Sequence, residues 1–187
     1  MDKSKQQKWD KRYLKPNQPP TAAAVLSQYQ QLLPTQGRAL DLACGLGGNA
    51  LFMAQRGLKV SAWDISSVGL GKLQDLAKHR HLTLTTVHRD VEQQPPQPNS
   101  FDVICVSYFL HRDITPSLIA ALKPGGLLFY QTFTTANSNG PSNPRFVLQE
   151  GELLGLFAPL DIIDYQEKSP TIADGQAWLV GRKKSPK

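Results

Sequence analysis

The sequence predicts an α/β protein in which a mostly parallel β-sheet carries helices on both of its faces. Three observations favour this class. Short apolar runs of strand length alternate with helical segments along most of the chain. A glycine-rich turn separates the first buried strand from the helix that follows it. Residues 160–167 and 176–182 are two further strands whose short connection predicts an antiparallel hairpin.

Length and composition predict the setting in which the protein works. A chain of 187 residues suits one compact domain, in which residues 1–34 form a helical cap segment and residues 35–187 bind the ligand. Two cysteines, Cys44 and Cys105, are too few for a disulfide framework. No apolar run approaches the ~18 residues of a membrane span, and no signal peptide is evident. We therefore expect a cytoplasmic protein with no membrane partner.

The net charge of +6 is concentrated at the two ends of the chain. Residues 1–15 and 182–187 hold ten of the 21 basic residues, which leaves the body of the chain close to neutral. Basic ends can contact phosphate. Solvated tails explain the same charges more simply, so a nucleic-acid partner is the less favoured alternative.

The N-terminal segment is predicted to be helical. Residues 3–14 place Trp9 and Tyr13 four positions apart, and hence on one helix face. A second helix, over residues 22–33, can be capped by Thr21. The aromatic pair either docks the first helix on the body of the protein or makes that helix a lid over a ligand.

A glycine-rich turn lies between the strand at residues 38–42 and a helix that begins at Asn49. Gly45 and Gly47 lack a Cβ atom, so the backbone can adopt positive φ and a ligand can lie against it. Asn49 can cap the helix, whose N-terminus favours polar groups of a ligand. The turn therefore predicts a nucleotide-like ligand at the end of the first strand.

The glycine spacing fits two kinds of cofactor. Gly45-x-Gly47-x-x-Ala50 matches the dinucleotide fingerprint, which predicts an NAD-dependent hydride-transfer enzyme. Asp41, however, lies in the apolar strand, where a carboxylate is costly to bury without a partner. An anionic pyrophosphate cannot be that partner, whereas a cationic ligand can. Asp41 therefore favours a cationic cofactor over NAD.

Two further acids follow the next two strands. Asp64 comes directly after the strand at residues 58–63, and Asp90 closely follows the strand at residues 82–87. A carboxylate at the position of Asp64 can accept hydrogen bonds from two ribose hydroxyls. Taken alone, Asp90 would be a simple loop residue. Together with Asp41 and Asp64, however, it belongs to a series of acids found at three successive predicted strands.

Two more strands complete the parallel part of the predicted sheet. Residues 101–106 form a β-branched run suited to a strand buried on both faces. A helix at residues 116–122 follows. The turn Leu122-Lys123-Pro124-Gly125-Gly126 then leads into a strand at residues 127–133.

These motifs resemble those of a known enzyme family. Asp41-x-Ala43-x-Gly45-x-Gly47 resembles the first motif of the class I S-adenosylmethionine methyltransferases, and the Leu-Lys-Pro-Gly-Gly turn is typical of them. Residues 41–49, 62–64 and 146–153 are similar to segments of the tellurite-resistance methyltransferase group within that family. The resemblance implies a Rossmann-like seven-stranded sheet, mostly parallel, with helices on both faces and an antiparallel last strand.

The resemblance also implies a cofactor and the residues that bind it. The cofactor is S-adenosylmethionine, and S-adenosylhomocysteine is the product. Separately, the His and Cys residues of the sequence form no metal-ligand pattern, so no metal is expected. Asp64 is expected to bind the ribose and Asp90 the adenine amino group. The implied cofactor-binding residues are Trp9, Asp41, Ala43, Cys44, Gly45, Gly47, Asp64, Ile65, Asp90, Val91 and Ser107.

The acceptor side is less defined. Tyr108, His111 and Arg145 are the candidate catalytic or substrate-binding residues, with Arg112 beside them, and Arg145 is the candidate anion contact. The short connection at residues 168–175 has no His or Arg, unlike the tellurite group, which counts against an oxyanion acceptor. We expect a small soluble acceptor, and the sequence leaves monomer and dimer both open. An RNA or protein methyltransferase and a non-catalytic S-adenosylmethionine-binding regulatory protein stay open as alternatives.

Overall fold

A computed structural model describes residues 2–16, 18–167 and 175–185 of the chain. Its seven strands are β1 (Arg38–Leu42), β2 (Lys59–Asp64), β3 (Leu84–His88), β4 (Phe101–Ser107), β5 (Leu122–Phe133), β6 (Asp161–Glu167) and β7 (Gln176–Arg182). Its α-helices are α1 (Lys3–Leu14), α2 (Ala24–Gln28), α3 (Gly48–Ala54), α4 (Ser67–His79), α5 (Thr115–Ala121) and α6 (Glu152–Leu156). Short 3₁₀ turns lie at Gln30–Leu32, Arg112–Ile114 and Pro144–Phe146.

The strands form one sheet in the order β3-β2-β1-β4-β5-β7-β6. The first five strands in the chain pair in parallel, and β7 is antiparallel to both β5 and β6. The predicted seven-stranded sheet and its closing hairpin are thus confirmed; the hairpin connection at residues 168–174 lies outside the described residues. Strand order reverses between β1 and β4, and ligands of such sheets bind at this point, beyond the carboxyl ends of the strands.

A hydrophobic core covers each face of the sheet. On one face, α2, α3 and α4 pack around the fully buried Trp178, Phe129 and Leu51. On the other face, α5 and α6 pack around Phe157 and Tyr130. Each such large side chain removed from water contributes about 1.5–3 kcal/mol, so the two cores hold the carboxyl edge of the sheet in place.

The N-terminal helix forms as predicted. Asp2 caps α1 by accepting hydrogen bonds from the backbone N–H groups of Ser4 and Lys5, at 2.9 and 3.2 Å. The rings of Trp9 and Tyr13 stack with their centroids 5.9 Å apart. The helix lies on α4 and buries none of its residues fully.

The two predicted helix caps near the glycine turn are wrong. The residue that caps α3 is Gly47, in the left-handed conformation, because the Asn49 side chain turns into the interior. Likewise Thr21 does not cap α2. The N–H groups of Ala23 and Val25 instead donate to distant side-chain amides, those of Asn49 (2.8 Å) and Gln131 (2.9 Å).

The expectation of a solvated C-terminal tail also fails at Lys183. Its ammonium group donates to Asn99 Oδ1 and to the carbonyls of Ala120 and Leu122, at 3.0, 2.9 and 2.6 Å. Its backbone exchanges hydrogen bonds with the turn at Gly125 and Gly126. Lys183 therefore satisfies carbonyl groups at the end of α5, where a cation is favourable. Among the helices that the structure describes, none is long and apolar enough to span a bilayer.

Candidate active site

Three acids lie at the carboxyl edge of neighbouring strands. Asp41 lies near the end of β1, Asp64 ends β2, and Asp90 follows β3. All three side chains are buried. Because adjacent parallel strands run about 4.8 Å apart, the fold brings together three carboxylates that are far apart in sequence.

Asp41 is fully buried and, within the residues that the structure describes, is bound only by uncharged donors. Its Oδ2 accepts a hydrogen bond from the backbone N–H of Ala50, in the first turn of α3, at 2.9 Å. Its Oδ1 accepts from Asn49 Nδ2 at 3.3 Å. Burial raises the pKa of Asp41 to about 7, and the two hydrogen bonds oppose that shift. Among the residues described, no Lys, Arg or His forms an ion pair with it, so a cation would still be a favourable neighbour.

Asn49 connects three segments of the site. Its Nδ2 donates to Ser107 Oγ at 2.8 Å as well as to Asp41, and its Oδ1 accepts from the N–H of Ala23. The side chain therefore uses its hydrogen-bonding groups to tie β1, β4 and the start of α2 together. Sequence reasoning missed this role; a polar residue among the apolar positions of α3 was the available sign.

Asp64 joins the glycine turn to α4. Its two oxygens accept from the N–H groups of Gly45 and Ser66, both at 2.8 Å. Burial raises the pKa of this carboxyl, while hydrogen bonds to backbone N–H groups lower it. Since a carboxylate has about four acceptor sites, Asp64 retains capacity for ligand hydroxyls.

The glycine turn has three residues at positive φ. Gly45 and Gly47 have φ of +55° and +77°, as predicted, but Ala43 also has φ of +54°, which was not expected. A Cβ atom added to Gly45 would lie 2.6 Å from the Tyr13 hydroxyl oxygen, whereas one added to Gly47 would overlap Leu73. Gly45 therefore permits the close approach of Tyr13, while Gly47 permits packing of α4.

Helix α1 lies across the acids and the turn. Tyr13 rests against Gly45, and Asp10 Oδ1 accepts from Ser66 Oγ at 2.6 Å and from the N–H of Val68 at 3.2 Å. The Lys72 ammonium donates to the carbonyl of Tyr13. Trp9 stacks on Tyr13 and so lies one ring removed from the turn.

The first residues of α1 reach the third acid. Asp90 accepts from the N–H of Glu92 at 3.2 Å and from the N–H of Asp2 at 3.4 Å. Val91 is buried beside it. On the neighbouring loop, the carbonyl of Ile65 lies 2.8 Å from His88 Nε2. One helix thus contacts the surroundings of all three acids.

The end of β4 holds a strained tyrosine. Tyr108 has φ of +55°, which costs about 1–2 kcal/mol for a residue other than glycine. Its ring is half exposed and lies 5.2 Å from that of Phe133, and its hydroxyl accepts from Gln131 Nε2 at 3.3 Å. Partial burial raises the pKa of Tyr108. Gln131 also donates to Gln176 Oε1 at 2.7 Å, so β5 and β7 position this ring.

The other acceptor-side candidates differ in their surroundings. His111 Nε2 lies 3.3 Å from Glu92 Oε2, while its Nδ1 is buried without a hydrogen-bond partner among the described residues. Arg112 is fully engaged within the chain, since its guanidinium forms a bidentate pair with Glu152 and also donates to backbone carbonyls at residues 145 and 147. Arg145 is exposed, so its side chain can meet a ligand.

The two cysteines are buried packing residues. Cys44 and Cys105 are buried thiols whose pKa values burial raises, which disfavours a thiolate nucleophile. Within the described part of the chain, no group of three or more His, Cys, Asp or Glu side chains is arranged to hold a metal ion.

Comparison with known proteins finds a matching domain and several relatives. Residues 39–126 match the model of a methyltransferase domain. A probable S-adenosyl-L-methionine-dependent methyltransferase, TehB from Haemophilus influenzae, is 28% identical over 138 residues, which are 70% of this chain and 48% of that protein. The chain thus spans about half the length of the curated TehB relatives it matches.

Two solved structures share the fold. TehB from Haemophilus influenzae superposes with a TM-score of 0.72 and 21% identity, covering 96% of this chain and 67% of that one. The [4+2]-cyclase SpnF has a TM-score of 0.72 and 19% identity, covering 87% of this chain and 80% of that one. The domain match, the seven-stranded topology and the similarity to TehB together show that residues 39–126 match a methyltransferase domain and that the chain has the fold of the class I S-adenosylmethionine-dependent methyltransferases.

Proposed function

We propose that this protein transfers a methyl group from S-adenosylmethionine to a small soluble acceptor. The observation that carries the proposal is the set of three buried carboxylates, Asp41, Asp64 and Asp90, at successive strand ends of a methyltransferase fold. The cofactor offers each of them a partner: a cationic methionine end, ribose hydroxyls and an adenine amino group. NAD would offer Asp41 an anionic pyrophosphate instead.

The side chains present fit the cofactor. Asp41 is bound only by uncharged donors, and Asp64 retains acceptor sites after binding two backbone N–H groups. Gly45 leaves its Cβ position open to a close neighbour, which is Tyr13 in this structure. We assign the cofactor to Trp9, Asp41, Ala43, Cys44, Gly45, Gly47, Asp64, Ile65, Asp90, Val91 and Ser107, with Gly47 acting through packing.

When bound, S-adenosylmethionine supplies an electrophilic methyl group. The chain's own residues then provide proximity and alignment and exclude water. Helix α1 suits the last task, because it already contacts the surroundings of the three acids. We propose that residues 1–34 act as a cap on a binding domain formed by residues 35–187.

Only a short length of chain is available to enclose an acceptor at the end of β4, which supports a small acceptor. We propose that α1 and the loop at residues 134–145 form the cover there. Tyr108 and Phe133 offer an aromatic surface, and the exposed guanidinium of Arg145 suits an anionic group on the acceptor. Exchange of Arg145 for Ala should weaken acceptor affinity selectively and leave cofactor affinity unchanged.

Calorimetry with S-adenosylmethionine, S-adenosylhomocysteine and NAD tests the cofactor assignment. We expect both sulfur compounds to bind and NAD not to bind; tight binding of NAD alone would reject the proposal. Methyl-labelled cofactor incubated with cell metabolites, RNA and protein then identifies the acceptor. Binding with no transfer would indicate a regulatory protein, and salt-sensitive transfer to RNA a nucleic-acid enzyme.

A further inference from the structure

Glu92 lies between the N-terminal helix and the acceptor side of the site. Its Oε2 forms an ion pair with the ammonium of Lys5 on α1. The same oxygen lies 3.3 Å from His111 Nε2, in the segment after β4. One carboxylate thus connects the helix over the cofactor acids with an imidazole beside the acceptor position.

This contact defines which nitrogen of His111 carries the proton. A carboxylate only accepts hydrogen bonds, so the hydrogen lies on Nε2, facing Glu92. In the neutral ring Nδ1 then holds a lone pair. That atom is screened from solvent and has no hydrogen-bond partner among the described residues. Since buried polar atoms in native proteins are normally satisfied, an acceptor nitrogen of this kind indicates a function.

A second buried polar atom without a partner lies on the same side. Thr132 Oγ1 on β5 has none among the residues described. Thr132 shares the sheet face of Tyr130, because strand residues two apart point the same way. The Tyr130 hydroxyl donates to the carbonyl of Phe109 at 2.7 Å, which places the segment leading to His111 over that face. Both atoms therefore lie at the carboxyl ends of β4 and β5, where a polar ligand would satisfy them.

We propose that His111 is the general base for methyl transfer and that Glu92 is the positioning residue that holds it with Nδ1 unprotonated. This inference rests on the proposed function and narrows its acceptor. A base is needed only where the attacking atom carries a proton at neutral pH. The acceptor class is therefore one with a hydroxyl, phenol or amine nucleophile, and not one already ionised in solution.

The proton transfer balances within the site. As the O–H or N–H bond of the acceptor breaks, its electron pair stays on the oxygen or nitrogen, and this atom forms the new bond to the methyl carbon. The bond from that carbon to the sulfonium sulfur breaks at the same time, and its electron pair leaves on sulfur, which becomes the neutral thioether of S-adenosylhomocysteine. The proton passes to Nδ1 of His111. The resulting imidazolium lies against the carboxylate of Glu92, which stabilises its charge. Because Lys5 also holds this carboxylate, docking of α1 over the cofactor acids completes the arrangement.

The tautomer of His111 can be measured without cofactor or acceptor. In long-range ¹H–¹⁵N spectra of the whole protein we expect the Nε2–H form to predominate. Exchange of Glu92 for Ala should give a mixture of tautomers, whereas exchange of Asp75, an exposed acid on α4, should not. A proton on Nδ1 in the wild-type protein, or tautomer populations unaffected by Glu92→Ala, would overturn the inference.

Kinetics with paired probes test the base itself. The un-ionised probes are phenol and benzyl alcohol, assayed at neutral pH, and N-methylbenzylamine, assayed at a pH high enough to keep the amine neutral. The ionised probe is pentafluorophenol. Methyl-labelled S-adenosylmethionine is the methyl donor in every assay. We expect His111→Gln and Glu92→Ala to lower kcat about 100-fold for phenol, with less than about threefold change for the ionised probe and for cofactor affinity. His79→Gln, at an exposed histidine ending α4, is the matched control.

Each kinetic outcome is decisive. If the variants lose kcat equally with ionised and un-ionised probes, His111 is not the base. The same conclusion follows if the wild-type enzyme methylates none of the un-ionised probes. A failure of S-adenosylmethionine to bind in calorimetry would reject the proposed function instead. In that case the tautomer measurement still decides whether Glu92 positions His111.

Discussion

The carboxyl edge of the sheet has two parts that treat buried polar groups differently. On the side to which we assign the cofactor (the cofactor side), at the ends of β1, β2 and β3, both oxygens of each of Asp41, Asp64 and Asp90 accept hydrogen bonds from the chain. On the acceptor side, at the ends of β4 and β5, His111 Nδ1 and Thr132 Oγ1 are buried without partners among the described residues. The cofactor side is therefore held in shape by the chain itself, whereas the acceptor side leaves polar atoms available to a ligand.

The largest expected effect is at Asn49, which supports the cofactor side. Asn49→Ala should lower the free energy of unfolding by about 3 kcal/mol, because it leaves the buried N–H of Ala23 unsatisfied and removes a donor from Asp41. Asn143→Ala makes the same change in the exposed acceptor-side loop and should cost less than about 1 kcal/mol. Urea denaturation measures both; similar losses would contradict the contrast between the two sides.

At Asp64 the effect combines binding with stability. Asp64→Ala should weaken S-adenosylmethionine binding by about 1.5–3 kcal/mol, the value of hydrogen bonds to a charged group. It should also lower stability, because Gly45 and Ser66 lose their acceptor. Calorimetry and urea denaturation separate the two effects, with Asp75→Ala as the control. Unchanged affinity would show that the ribose is held elsewhere.

The raised pKa of Asp41 predicts opposite pH dependences for stability and binding. Its folded-state pKa of about 7 exceeds its ordinary value of 3.8, so its stabilising contribution is present at low pH and is lost as pH rises through about 7. Affinity for a cationic cofactor should instead fall by up to about 1.4 kcal/mol per pH unit below about pH 7. Titrations between roughly pH 5 and pH 8, the range in which proteins are usually most stable, measure both the free energy of unfolding and the cofactor affinity. A flat affinity profile would mean that no cation reaches Asp41.

Backbone strain offers a smaller test. Ala43→Gly should raise the free energy of unfolding by about 0.5–1 kcal/mol, because glycine adopts positive φ without strain, although it adds freedom to the unfolded chain. Ala54→Gly, at the end of α3, should instead cost up to about 1 kcal/mol. Thermal unfolding of the two variants should shift in opposite directions; a loss at Ala43 would show that its methyl group packs usefully.

The smallest expected effect is on the acceptor side. Thr132→Val removes a buried hydroxyl that has no partner in the described part of the chain, so stability should be unchanged or rise by about 0.5 kcal/mol. The same change should raise KM for the acceptor if a ligand satisfies this hydroxyl. A stability loss above about 1 kcal/mol would mean that Thr132 is hydrogen-bonded in the folded protein, which would remove half of the contrast.

Local patterns predicted the frame of the site but not its connections. Apolar runs located the strands, and strand ends located Asp41 and Asp64, because these depend on residues close in sequence. The side chains of Asn49 and Gln131 bond groups 26 and 106 residues away in the chain, and no local pattern specifies such partners. Glu92 was missed for the same reason, since its contacts with Lys5 and His111 require the folded edge.

The position of β7 has a consequence for how the protein is made. This strand enters between β5 and β6, so the sheet is closed by a segment synthesised after both of its neighbours. Until it arrives, β5 presents an unpaired edge with the apolar side chains of Leu127 and Phe129, and such edges promote association between chains. A nascent chain in which β1 to β3 and their three acids are already in place thus still has an unpaired strand edge at β5. Pairing of β7 with β5 is the step that protects this edge from aggregation.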